Sequence, residues 1–104
     1  MSTPGRLESL LSLAEKEPDN SFVRYGLAME YARLNRTEEA LQTYRDLLLR
    51  EPLYVPAYFQ LGTLLAKCGR IQEAQQTYSE GIKVASQKAD WHAKSELQSA
   101  LENL

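Results

Sequence analysis

The sequence predicts an all-α fold, about six antiparallel helices stacked side by side as a solenoid. Three observations carry that expectation. Apolar residues recur at helical spacing from end to end, and no segment alternates as a half-buried strand would. The pattern is printed twice at an interval of 34 residues, so that Leu27 returns as Leu61, Ala40 as Ala74 and Tyr44 as Tyr78. Pro18 and Pro52 punctuate the chain at the same interval, with Ser86 where a third mark would fall. A fixed period of this length signals an array of small units, none of which buries its apolar face alone.

The elements follow in order. A first helix is expected from about Pro4 to Lys16, with Leu7, Leu10, Leu11 and Ala14 on one face and Pro4 in the first turn, where its missing N–H costs nothing. Glu17-Pro18 stops it, because the residue before proline is pushed out of helical conformation. Asp19, Asn20 or Ser21 caps a second helix that ends near Leu34. Asn35 is expected as a left-handed terminator and Thr37 as the N-cap of a third helix, with Glu38 and Glu39 favourably placed in its first turn. That helix ends at Arg50-Glu51, before Pro52.

A fourth helix opens near Pro56 and closes at Gly69, which occupies the place Asn35 held one period earlier. The fifth starts near Ile71. Ile71 has no side chain able to cap, so this start is expected to fray more than that at Thr37. The sixth is expected over Lys88 to Asn103, with Ala93, Leu97, Ala100, Leu101 and Leu104 apolar. A strict third copy would bury His92, Ser95 and Glu96. A slide of two residues, read as a longer connection at Gln87-Lys88, puts Leu97 and Leu101 inside and turns His92, Ser95, Glu96 and Ser99 to water, as a terminal cap requires.

The chain of 104 residues has room for one domain, and its 43% hydrophobic and 25% charged residues are ordinary for a globular protein. Net charge is -2, with seven basic and nine acidic side chains in residues 1–52 and five of each in 53–104. No basic stripe points to nucleic acid, and no basic amphipathic or long apolar segment points to a membrane. Cys68 is the only cysteine, so an internal disulfide is excluded, which suits a reducing compartment. With no leader pattern in Met1 to Arg6, the expected location is cytoplasmic. A start at Met and a finish on a capping helix fit a complete small protein.

These residues resemble the tetratricopeptide repeat, whose pattern over 34 residues is W-x2-L-G-x2-Y, then A-x3-F, then P. The first copy here reads Arg24, Leu27, Ala28, Tyr31, Ala40, Tyr44 and Pro52. The second reads Tyr58, Leu61, Gly62, Leu65, Ala74, Tyr78 and Ser86. Arg24 in place of tryptophan and Ser86 in place of proline are the departures. The resemblance implies a right-handed α–α superhelix: a half repeat at 4–17, repeats at 19–52 and 53–86, and a capping helix at 88–103. The small residues Ala28, Gly62, Ala40 and Ala74 let helices approach, and Tyr44 and Tyr78 fill the space between pairs.

The resemblance also implies a function: a scaffold that binds a protein or peptide in its concave groove, lined by the first helix of each repeat. The groove positions not used for packing are Phe22, Tyr25, Gly26, Met29 and Arg33, then Pro56, Phe59, Gln60, Thr63 and Lys67. Phe22, Tyr25, Met29 and Phe59 would anchor a partner, since aromatics and methionine are enriched where proteins grip one another. The competing readings are that some of these side chains are buried by neighbouring helices, or that they pack in a homodimer. A subgroup of the family binds acidic chaperone tails through a Lys and Asn clamp. The corresponding places here hold Tyr25, Met29, Phe59, Gln60 and Thr63, so a more apolar or mixed peptide is expected, with Arg33 and Lys67 left to anchor one carboxylate.

No catalytic constellation emerges, and the protein is expected not to be an enzyme, with no cofactor and no metal. His92, Ser95 and Glu96 read as a solvated polar face, and Cys68 as a small half-buried thiol without metal-ligand spacing.

Overall fold

A computed structural model describes residues 5–104. Six helices run in order: α1 (Arg6–Lys16), α2 (Ser21–Arg33), α3 (Thr37–Arg50), α4 (Val55–Lys67), α5 (Ile71–Gln87) and α6 (Trp91–Glu102). No strand occurs among the described residues. Pro4, expected in the first turn, lies outside them. Sequential helices pack in antiparallel pairs into a body of 48 × 28 × 20 Å.

Two kinds of turn build the stack. At the proline turns, Glu17 and Glu51 leave helical backbone (ψ 67 and 82), and Asn20 and Tyr54 then bond back to their carbonyls at 3.0 and 3.1 Å. At the other turns a left-handed residue closes the helix, Asn35 (φ 61) and Gly69 (φ 79) as expected. The next N–H reaches five residues back, Arg36 to the Tyr31 carbonyl and Arg70 to that of Leu65, both at 2.9 Å.

The junction between α5 and α6 differs from expectation. Ser86 is no helix stop, so α5 runs on to Gln87 and the extra residues lengthen the helix, not the connection. The turn that follows is of the second kind, with Ala89 left-handed (φ 54) and the Asp90 N–H bonded to the Ala85 carbonyl at 2.8 Å. The capping helix therefore begins at Trp91, not Lys88. Asp90 is its N-cap, accepting the Ala93 N–H at 3.1 Å. Leu104 falls beyond its end, more exposed than expected.

The helix starts at 37 and 71 also differ from expectation. Arg36 and Arg70 occupy the N-caps, and neither Thr37 nor Ile71 caps. Each arginine clasps the glutamate three residues on: Arg36 bonds both oxygens of Glu39 at 2.7 and 2.6 Å, and Arg70 holds Glu73 the same way. The two starts are equivalent, so nothing distinguishes Ile71 as the looser one.

The core consists of two linked clusters. Tyr44 sits within the first with Ala28, Leu41, Leu47, Ala57, Leu61, Leu65 and Ala74. Tyr78 sits within the second with Val55, Tyr58, Val84, Ala85 and Leu97. The Tyr78 ring lies flush on Gly62, where an added Cβ would stand 2.7 and 2.9 Å from ring carbons. Arg24 and Tyr58, which share one repeat position, do the same work by different chemistry. Arg24 Nε donates to the Pro18 carbonyl at 2.9 Å, and the Tyr58 hydroxyl to the Pro52 carbonyl at 2.7 Å. Each ties the start of a helix to the turn before it.

Candidate functional site

The N-caps of α2, α4 and α6 are Asn20, Tyr54 and Asp90, and counting from them puts the three helices in one register. α2 touches α4 and α4 touches α6 along one flank of the stack. At equivalent places this flank carries Phe22, Pro56 and His92, then Tyr25, Phe59 and Ser95, then Met29, Thr63 and Ser99, and last Arg33, Lys67 and Asn103. The polarity grades from aromatic on α2 through mixed on α4 to polar on α6. The two-residue slide expected at α6 is thus real, and its polar face forms the third wall of the groove.

Between these walls lies an open cleft of about 350 Å³. Tyr25, Val55, Pro56, Phe59 and Gln60 line one side, and Asp90, His92, Ala93, Glu96 and Leu97 the other. A shallower hollow continues from Phe59 along His92, Ser95, Glu96, Ser99 and Asn103. Of the ten positions expected in the groove, the cleft brings together Tyr25, Pro56, Phe59 and Gln60.

The other six are placed differently. Gly26 lies against α1, where an added Cβ would stand 3.4 Å from Leu10. Phe22 is 74% exposed on the first turn of α2, outside the cleft. Met29 packs against the inner cluster. Thr63 Oγ1 donates to the Phe59 carbonyl at 2.8 Å and accepts from the Tyr78 hydroxyl at 2.9 Å. Arg33 is already paired, its Nε and Nη2 holding the buried Glu30 carboxylate at 2.5 and 3.1 Å, although its side chain is 67% exposed. That pairing keeps the Glu30 carboxyl below the ordinary carboxylate range and raises Arg33. Lys67 is exposed at the far end of α4.

Tyr54 was not foreseen. Its ring lies 5.5 Å from that of Tyr25, which in turn lies 6.3 Å from Tyr44, so three tyrosines form one tilted aromatic cluster beneath the cleft. Burial pushes the pKa of both Tyr44 and Tyr54 above the ordinary tyrosine value. No periodic signal marks Tyr54, because Asn20 stands one period before it. Asp90 also escaped notice, although an acid just ahead of Trp91-His92-Ala93 is a helix-start signal.

The cleft brings His92 and Glu96 together, with Nε2 and Oε1 at 3.2 Å, but Ser95 is not among its lining residues. Cys68, expected half-buried, is exposed at the end of α4, where the chain turns away from the core. Among the described residues no group of three or more His, Cys, Asp or Glu could hold a metal, and no helix is long and apolar enough to cross a membrane.

Comparison with known proteins agrees with this architecture. Sequence profiles of the tetratricopeptide repeat match residues 23–52 and 43–76. A tetratricopeptide repeat domain protein from Salinibacter ruber, solved by NMR, is 35% identical. The match covers 83% of this chain and 87% of that one, with a TM-score of 0.80. A protein of Bordetella parapertussis is 28% identical over 97% of this chain and 88% of that one, with a TM-score of 0.83. A TPR repeat-containing protein of Pseudomonas aeruginosa is 26% identical over 91 residues, 88% of this chain and 87% of that protein.

Proposed function

The chain belongs to the tetratricopeptide repeat family, and we propose that it docks a segment of a partner protein in the groove formed by α2, α4 and α6. Repeats of this family generally serve protein–protein interaction and are generally not enzymes. The observation that carries the reading is the cleft in which Tyr25 and Phe59, from different repeats, face α6. Both rings are half-buried and backed by other aromatics, Tyr54 and Tyr44 behind Tyr25 and Tyr78 behind Phe59. Such rigid rings give contact area at little entropic cost. Gln60 supplies a polar group for orientation. Affinity is modest, because two full repeats present a small surface.

The test is a pull-down from native lysate followed by titration of the captured partner against Tyr25→Ala and Phe59→Ala. Each truncation is expected to weaken binding while the helical circular dichroism stays intact. Full affinity in both variants would remove the groove assignment.

Phe22, an aromatic left 74% exposed at the rim, favours a second reading in which the same flank pairs with another copy of the chain. Sedimentation at several concentrations separates the two, because a monomer at tens of micromolar discards the dimer. The lone thiol and the lack of any long apolar helix among the described residues are compatible with a cytoplasmic location.

A further inference from the structure

We infer that the docked segment carries a lysine or arginine beside an apolar side chain, the cation lying against α6 and the apolar group against Tyr25 and Phe59. This rests on the groove reading above and adds the charge of the ligand to it.

The lining of the cleft is asymmetric in charge. It includes two carboxylates, Asp90 and Glu96, and neither lysine nor arginine. Asp90 uses Oδ1 on the Ala93 N–H at 3.1 Å, and Glu96 meets His92 through Oε1 at 3.2 Å. Each carboxylate thus keeps its second oxygen for a ligand. Facing them are the rings of Tyr25 and Phe59, whose π faces attract cations and repel anions.

The neighbouring cations are committed or distant. Arg33 is held by Glu30. Lys94 lies over the Trp91 ring, 5.5 Å from its centroid. Lys67 stands at the opposite end of α4 from Pro56. A ligand carboxylate would meet like charge at α6, while an ammonium or guanidinium would find both a carboxylate and an aromatic face. Packed helices lie about 8–10 Å apart and an extended chain advances about 3.3–3.6 Å per residue, so a segment crossing from α2 to α6 needs roughly six residues.

The experiment uses the full chain and an array of acetylated, amidated decapeptides. Each bears one Leu or Phe followed at varied spacing by Lys, Arg, acetyl-lysine or Glu, and binding is read by fluorescence anisotropy at two salt concentrations. Members with Lys or Arg are expected to bind, more weakly at high salt, and those with acetyl-lysine or Glu to bind less. The double variant Asp90→Asn, Glu96→Gln removes both charges while asparagine keeps the cap. It should lower affinity for the cationic members by about threefold to tenfold and leave the acetyl-lysine members unchanged.

Equal binding of cationic and neutral members, preference for Glu, failure of every cationic member to bind, or indifference to the double variant each overturns the inference. Tyr25→Ala and Phe59→Ala are run alongside. If they abolish binding while charge has no effect, the groove stands and the cationic ligand falls. If they have no effect, the groove itself falls.

Discussion

The hydroxyl of Tyr78 lies 2.9 Å from Oγ1 of Thr63, and Thr63 in turn donates to the Phe59 carbonyl at 2.8 Å. A side chain on the groove flank thereby completes the hydrogen bonding of a core tyrosine. One period earlier the same tyrosine position is Tyr44, but Met29 stands where Thr63 does and offers no hydroxyl.

This asymmetry gives two chemically identical substitutions with different outcomes. Tyr78→Phe removes a made hydrogen bond and should cost about 0.5–1.5 kcal/mol. Tyr44→Phe removes a hydroxyl that makes no such threonine bond and should cost less or nothing. Urea unfolding of the two variants checks the order, and equal losses would contradict it.

The left-handed turns make a second contrast. Ala89 holds φ 54, a conformation that costs a residue with a Cβ about 1–2 kcal/mol, partly offset by the greater freedom glycine has when unfolded. Ala89→Gly should therefore stabilise the fold by about 0.5–1 kcal/mol. Gly62→Ala should do the reverse, because its Cβ would enter the Tyr78 ring, at about 1–3 kcal/mol for an overpacked contact. Thermal melts of both variants measure opposite signs.

Stability should fall toward both pH extremes for separable reasons. The Glu30 carboxyl is held below its ordinary 4.5 by Arg33, so the unfolded chain binds more protons in acid. That contribution is complete above 4.5 and is lost as pH falls through the lower folded value. Tyr44 is raised above 10.0 by burial, so the folded chain holds its proton longer and stability declines as pH rises past 10.0. Glu30→Gln should flatten the acid limb and Tyr44→Phe the alkaline one, as read from denaturation midpoints across pH.

The architecture was legible because the repeat of Leu27 as Leu61 and Tyr44 as Tyr78 reports packing, and packing is the same in every unit. Arg24 looked like a defect in the pattern. It is not one, because a guanidinium and a phenol reach equivalent proline carbonyls, those of Pro18 and Pro52. The last junction departs from expectation where the period carries no information. Nothing in a two-copy pattern says that a helix lacking proline at Ser86 will run on to Gln87 and leave the turn to Ala89. The groove was legible only in part for a similar reason. Periodicity marks which face a residue occupies but not its partners: Arg33 is taken up by Glu30 one helical turn before it, and Thr63 by Tyr78 on the next helix.

Helix α1 has no buried residue, and Leu11 and Leu13 remain 42% and 41% exposed. It is the outermost rung at one end of a ladder and, among the described residues, touches only α2, whereas the rung at the other end, α6, packs on both α5 and α4. A linear stack opens from its least-held end, so amide exchange should run fastest along Arg6–Lys16 and the molecule should unzip from there toward Tyr78.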